Sequence, residues 1–103
     1  MKYFELIRLR TTGQYSDEIA QVVMETTGRK KTKENHCDMH FFKNTPLKTD
    51  FLIVIVYEAD KMDPQGSRIG RELCELFNKF GLVNHTIWTE LKGGDNAQDQ
   101  INH

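Results

Sequence analysis

Within His36-Cys37-Asp38-Met39-His40, an extended chain puts His36, Asp38 and His40 on one side. A histidine with an ordinary pKa near ~6.5 suits proton abstraction from a phenol or quinol, and Asp38 could orient either ring. Strand rise sets the two histidines ~13 Å apart, too far for two ligands of one metal. No metal centre is expected, therefore. The competing reading is a hydrogen-bonded polar row along an edge strand or at a dimer seam. A second group lies downstream. Asn84 and Trp88 share strand parity, and His85 has the opposite parity. Asn84 could donate to a developing oxyanion. Trp88, the sole tryptophan, could hold an aromatic ring, or anchor a core or an interface. His85 and Tyr57 complete the candidate substrate contacts, Tyr57 reading more simply as packing. Cys37 and Cys74 read as small inert hydrophobes, and no nucleophile–base pair can be assembled around them. Glu58 and Asp60 read as a solvated strand end.

The element that must carry these residues is Phe51-Leu-Ile-Val-Ile-Val-Tyr57, an unbroken apolar run. It is too short for a membrane span, which takes ~20 residues. It lacks the alternation of a strand with one wet face, so it predicts a strand covered on both sides.

The chain has 103 residues, enough for one domain, with Lys+Arg 14 against Asp+Glu 15. That balance creates no field favouring nucleic acid or an anionic membrane. Glu5 and Arg8 interrupt any apolar leader, so a cytoplasmic protein with two free thiols is expected.

Around the central run the pattern predicts five further elements. Residues 2–10 read as a strand with Tyr3, Glu5, Ile7 and Leu9 on one face. A helix over 16–27 follows, with Asp17 and Glu18 in its first turn, a stripe of Ile19, Val22, Val23 and Thr26, and Gly28 as terminator. Residues 29–35 form a basic loop, a solvated connection or an anion contact. Residues 36–43 read as a second strand with Cys37, Met39 and Phe41 toward the core. Asp63-Pro-Gln-Gly66 signals a turn before a helix over 67–80, with Ser67 as N-cap and Ile69, Leu73, Leu76, Phe77 and Phe80 in one stripe. Gly81 reads as its C′ residue, with Leu82 packing back on Phe77. The last strand covers 83–91. Residues 1–92 then form the domain and 93–103 a flexible tail.

The order β-α-β-β-α-β is that of an α+β ferredoxin-like fold with a four-stranded antiparallel sheet. Two helices cover only one face of such a sheet. The other face of Phe51–Tyr57, with Phe4 and Leu6, predicts a partner: a second copy closing a dimeric α+β barrel.

In Thr49-Asp50-Phe51 onward, in Gly66-Ser67-Arg68-Ile69-Gly70-Arg71-Glu72-Leu73, and in Phe80-Gly81-Leu82-Val83-Asn84-His85-Thr86-Ile87-Trp88, the chain resembles the dimeric α+β-barrel superfamily. The likeness is to antibiotic-biosynthesis-monooxygenase-like proteins and covers residues 1–91 in element order. The resemblance implies a cofactor-independent oxygenase acting on a small aromatic or quinol between sheet and helices. His36 or His40 would take a proton, and Asn84 and Trp88 would hold the ring. The superfamily also contains haem degraders, isomerases, decarboxylases and proteins without known activity. A non-catalytic dimer that binds a small ligand or a protein stands beside the enzyme. An open pocket with convergent polar groups would favour a ligand; a packed interior with an exposed apolar patch would favour a protein partner.

Overall fold

The computed structural model describes residues 1–13, 16–30 and 37–91, with no side-chain detail for Ser16 and residues 27–30. Its elements are β1 (Lys2–Thr11), α1 (Ser16–Lys30), β2 (Cys37–Lys43), β3 (Asp50–Glu58), α2 (Arg68–Phe77) and β4 (Gly81–Thr89). The sheet is antiparallel in the order β2-β3-β1-β4, so the apolar run lies in a central strand and the polar-rich strands form the edges. This is the ferredoxin-like α+β arrangement.

Register sorts every strand residue onto one of two faces. On the helix-covered face, Tyr3 pairs with Tyr57, Glu5 with Ile55, Ile7 with Ile53 and Leu9 with Phe51. Ile19 and Val23 of α1 and Ile69, Leu73 and Phe77 of α2 pack onto them as one core. Apart from the half-buried Tyr57, burial is essentially complete there, at ~1.5–3 kcal/mol for each large aliphatic side chain. On the open face Phe4 pairs with Val56, Leu6 with Val54 and Arg8 with Leu52. Leu52, Val54 and Val56 are only half-buried. One chain thus covers one side of its central strands, as two helices must.

Several local expectations change. α1 runs through Gly28 to Lys30 rather than stopping there. A mid-helix glycine costs about 1 kcal/mol relative to alanine, which does not by itself end a helix. The basic loop expected over 29–35 therefore gives two residues to α1, and 31–35 lie outside the described residues, as does the expected tail. α2 ends at Phe77 with Asn78 as a right-handed cap. Gly81 is not a helix terminator but the first residue of β4, paired with Thr11. A Cβ there would stand 2.0 Å from the Arg10 carbonyl oxygen and 2.8 Å from Thr11 Cα, so close strand approach selects glycine. Leu82 does not pack back on Phe77; it is 74% exposed on the open face.

Ser67 does cap α2, its Oγ accepting from Gly70 N–H at 3.0 Å. The Asp63 turn also forms, Gln65 N–H donating to Asp63 Oδ1 at 2.9 Å and Gly66 N–H to Asp63 O at 2.9 Å. Replacing Gly81 by alanine is expected to destabilise the fold by at least ~2 kcal/mol, because the backbone cannot yield as a side chain would. Urea unfolding followed by circular dichroism reads this, and an unchanged midpoint would show that β1 and β4 approach less closely.

Candidate functional site

The least ordinary residue in the core is Glu5. It stands on the helix-covered face of a central strand and is fully buried among Tyr3, Ile7 and Ile55. An isolated buried carboxylate is costly, so its partners define a site. Ser67 N–H donates to Glu5 Oε1 at 2.9 Å, and Ser67 Oγ–H donates to Glu5 Oε2 at 2.5 Å. His85 Nε2 lies 2.6 Å from Glu5 Oε1. Because Ser67 Oγ already accepts from Gly70, its proton is free to point at Glu5. Ser67 donors thus reach both carboxylate oxygens, and a His85 tautomer with its proton on Nε2 would add a third donor.

The backbone is shaped to this group. Gly66 has φ +90, and a Cβ on it would fall 2.1 Å from Glu5 Oε1 and 2.4 Å from His85 Cε1. A Cβ on Gly70 would fall 2.3 Å from Glu5 Oε1. The first turn of α2 therefore closes directly over the carboxylate, bringing the positive end of a helix dipole to it. The cluster is a Glu bridging Ser and His, not a nucleophile–base–acid relay, since Ser67 and His85 each bond Glu5 rather than each other. Among the described residues no three His, Cys, Asp or Glu side chains are placed to hold a metal.

The sequence-derived candidates fall elsewhere. His36 lies outside the described residues. Asp38 and His40 pair with Val56 and Val54, and Asn84 and Trp88 pair with Arg8 and Phe4, so all four face away from the helices. These four therefore do not line a space between sheet and helices; alternation gives that side to Met39, Phe41, Val83 and His85. On the open face Asp38 and His40 occupy one edge strand and Asn84 and Trp88 the other, three strand spacings or ~14 Å apart. His40 stacks on Phe42 with centroids 6.3 Å apart. Trp88 is 58% exposed and donates from Nε1 to Thr86 Oγ1 at 2.8 Å. Tyr57 and His85 share the helix-covered face. The Tyr57 ring sits 5.8 Å from that of Tyr3, and burial, followed by the nearby Glu5 charge, raises the Tyr57 phenol above its ordinary pKa.

A cavity of about 280 Å³ opens at one end of the exposed face, lined by Arg8, Arg10, Asp50, Leu82, Val83 and Asn84. Arg10 Nε and Nη2 reach Asp50 Oδ1 and Oδ2, both at 3.3 Å. That hydrogen-bonded guanidinium holds the Asp50 carboxyl below its ordinary range. Both cysteines are half-buried free thiols; burial pushes Cys74 up to about 11 and raises Cys37 as well.

Compared with solved structures, the chain is similar to Rv0793 from Mycobacterium tuberculosis, with a TM-score of 0.67, over 92% of this chain and 100% of that one. Sequence identity is 9%, so the likeness is one of fold. No family model matches the sequence. No curated protein matches it either.

Glu5→Ala leaves both Ser67 donors without an acceptor and should cost about 3–5 kcal/mol in urea unfolding. Glu5→Gln, which keeps one acceptor, should cost less; equal stability of both variants with the parent would show the cluster to be energetically idle. A depressed folded-state pKa means that Asp50 contributes fully above its unfolded value of ~3.9, and that this is lost as pH falls through the folded value. The urea-midpoint gap between the parent and Asp50→Asn should therefore narrow on acidification from pH 7 to pH 3. At pH 8 only about 0.1% of Cys74 is thiolate, so its alkylation should be far slower than that of a free thiol.

Proposed function

We propose that this chain works as a homodimer in which two open sheet faces close into an α+β barrel, and that the barrel binds a small ligand rather than turning it over inside each subunit. The observation that carries this reading is the uncovered apolar face: Phe4, Leu6, Leu52, Val54 and Val56 half-buried at its centre, with Phe42 50% exposed and Trp88 58% exposed at its edges. Contiguous surface of this kind marks an interface. A two-fold pairing counts each side chain twice. At ~1 kcal/mol for completing each half-finished burial, the total is on the order of 15 kcal/mol, against an association cost of ~4–15 kcal/mol. The same pairing supplies the second cover that Phe51–Tyr57 requires. The likeness to Rv0793 supports the subunit fold on which the barrel would be built.

The enzymatic reading, a cofactor-independent monooxygenase of the antibiotic-biosynthesis type acting on a small aromatic or quinol, draws on Asn84 and Trp88 sharing one exposed face. It needs the second copy to bring His40 toward them, because one sheet holds them at opposite edges.

Sedimentation at micromolar concentration should give twice the 12.0 kDa chain mass. Leu6→Asp, which sets a charge in the middle of the face without touching the helix-side core, should shift the species to monomer with its circular dichroism unchanged. A parent protein that sediments as a monomer would overturn the dimer. Oxygen uptake above the uncatalysed rate with a simple hydroquinone, abolished in His40→Ala, would move the assignment to the oxygenase.

A further inference from the structure

The open face is apolar through its middle and charged at one end. There β1 presents Arg8 and Arg10 in place of Phe4 and Leu6, and the two arginines differ. Arg10 is neutralised by Asp50, whose carboxylate is itself buried and further bonded by Thr49 Oγ1 at 3.3 Å. Among the described residues Arg8 makes no hydrogen bond or ion pair, and its charge acts on Asp50 only at a distance, adding a last and smallest contribution to the lowered Asp50 carboxyl. Its cross-strand neighbours are Leu52 on one side and Asn84 on the other. The cavity therefore holds one surplus positive charge, an amide directly opposite it, and Leu82 as an apolar wall.

A guanidinium is a planar fork of donors with no acceptor, matched to a carboxylate or phosphate. An amide beside it adds one more donor to an oxyanion. Closing a second copy over this face would strip water from Arg8, and a charge losing water without a counter-charge is costly. From these features we propose that the Arg8–Asn84 cavity binds a small organic anion, with its oxyanion head on Arg8 and Asn84 and an apolar or aromatic body against Leu82. The inference deepens the barrel reading by naming the class of ligand and its place at the dimer seam. Arg10 and Asp50 shape the cavity wall and carry no net charge to the ligand.

Calorimetric titration of the full chain with benzoate, phenyl phosphate, inorganic phosphate and neutral benzyl alcohol tests it, with sedimentation run on the same samples. Benzoate and phenyl phosphate should bind, inorganic phosphate should bind more weakly for lack of a body, and benzyl alcohol should not bind. Arg8→Met should weaken benzoate by about tenfold or more, the loss expected for a charge-assisted pair, and Asn84→Ala by a smaller factor. Lys48→Met, outside the cavity, should leave binding unchanged, and the circular dichroism of each variant checks its fold. Absence of benzoate and phenyl phosphate binding by the parent, equal binding of benzyl alcohol, or unchanged affinity in Arg8→Met would each overturn the proposal. Arg8-dependent binding by a protein that sediments as a monomer would uphold the anion site while removing the dimer. A dimer without anion binding, in which Arg8→Met tightens association, would assign the charge to the interface alone and overturn the site.

Discussion

The structure depends on one buried carboxylate. Glu5 stands in the central strand nearest β4, and its hydrogen bonds reach the cap of α2 and a side chain of β4. These contacts span 62 and 80 residues of chain. Apolar packing could hold α2 against the sheet at several rotations with similar energy, since hydrophobic burial is non-directional. Directional hydrogen bonds cannot slide: a shift of α2 by one residue would carry both Ser67 donors away from Glu5. The same group explains two glycines. Gly66 and Gly70 flank the cap because any larger residue would occupy the carboxylate's place. Ser67 caps the helix with its oxygen and holds Glu5 with its proton, coupling a local helix signal to tertiary register.

Much of this was legible in the chain, and the part that was not has a physical reason. The seven-residue apolar run identified a central strand, and the helix stripes identified the cover for one of its faces. Edge and centre came with the strand order of the ferredoxin-like fold, and the polar content of each strand agreed with it. Glu5 also left a signal: an acidic residue in parity with Tyr3, Ile7 and Leu9 belongs to the buried face and must find donors there. His85 has the parity to meet it across β4. The signal is easy to miss because strand parity gives faces but not neighbours, and the partners come from the far end of the sequence. Gly81 misleads for a similar reason. A glycine after a helical stripe fits a C′ position, while the strand backbone it must approach lies 70 residues away in sequence.

The polar residues singled out for chemistry show how strand order limits what spacing can say. His36, Asp38 and His40 alternate as a row, and Asn84 shares a face with Trp88; both statements concern a single strand. Whether the rows can cooperate depends on the sheet order β2-β3-β1-β4, which sets Asp38 and His40 on the edge opposite Asn84 and Trp88, with two strands between. In one subunit they form two separate polar margins around an apolar field.

Those margins and that field are one physical problem. The central strands are apolar on both faces, yet the two helices lie on one, and the proposed dimer would cover the other. Edge strands are polar because an unpaired edge must discourage indefinite pairing. Arg8 breaks the pattern, being charged, central and without a hydrogen bond or ion pair among the described residues, on the face the helices leave open. Were the face simply wet, Arg8 would be unremarkable, but Leu6 and Val54 beside it would not be. Were it simply a dry interface, Leu6 and Val54 would be explained and Arg8 would be a cost. A covered face with a counter-charge at Arg8 satisfies both sets of residues at once, so the apolar field and the lone guanidinium belong to a single argument about what closes over this sheet.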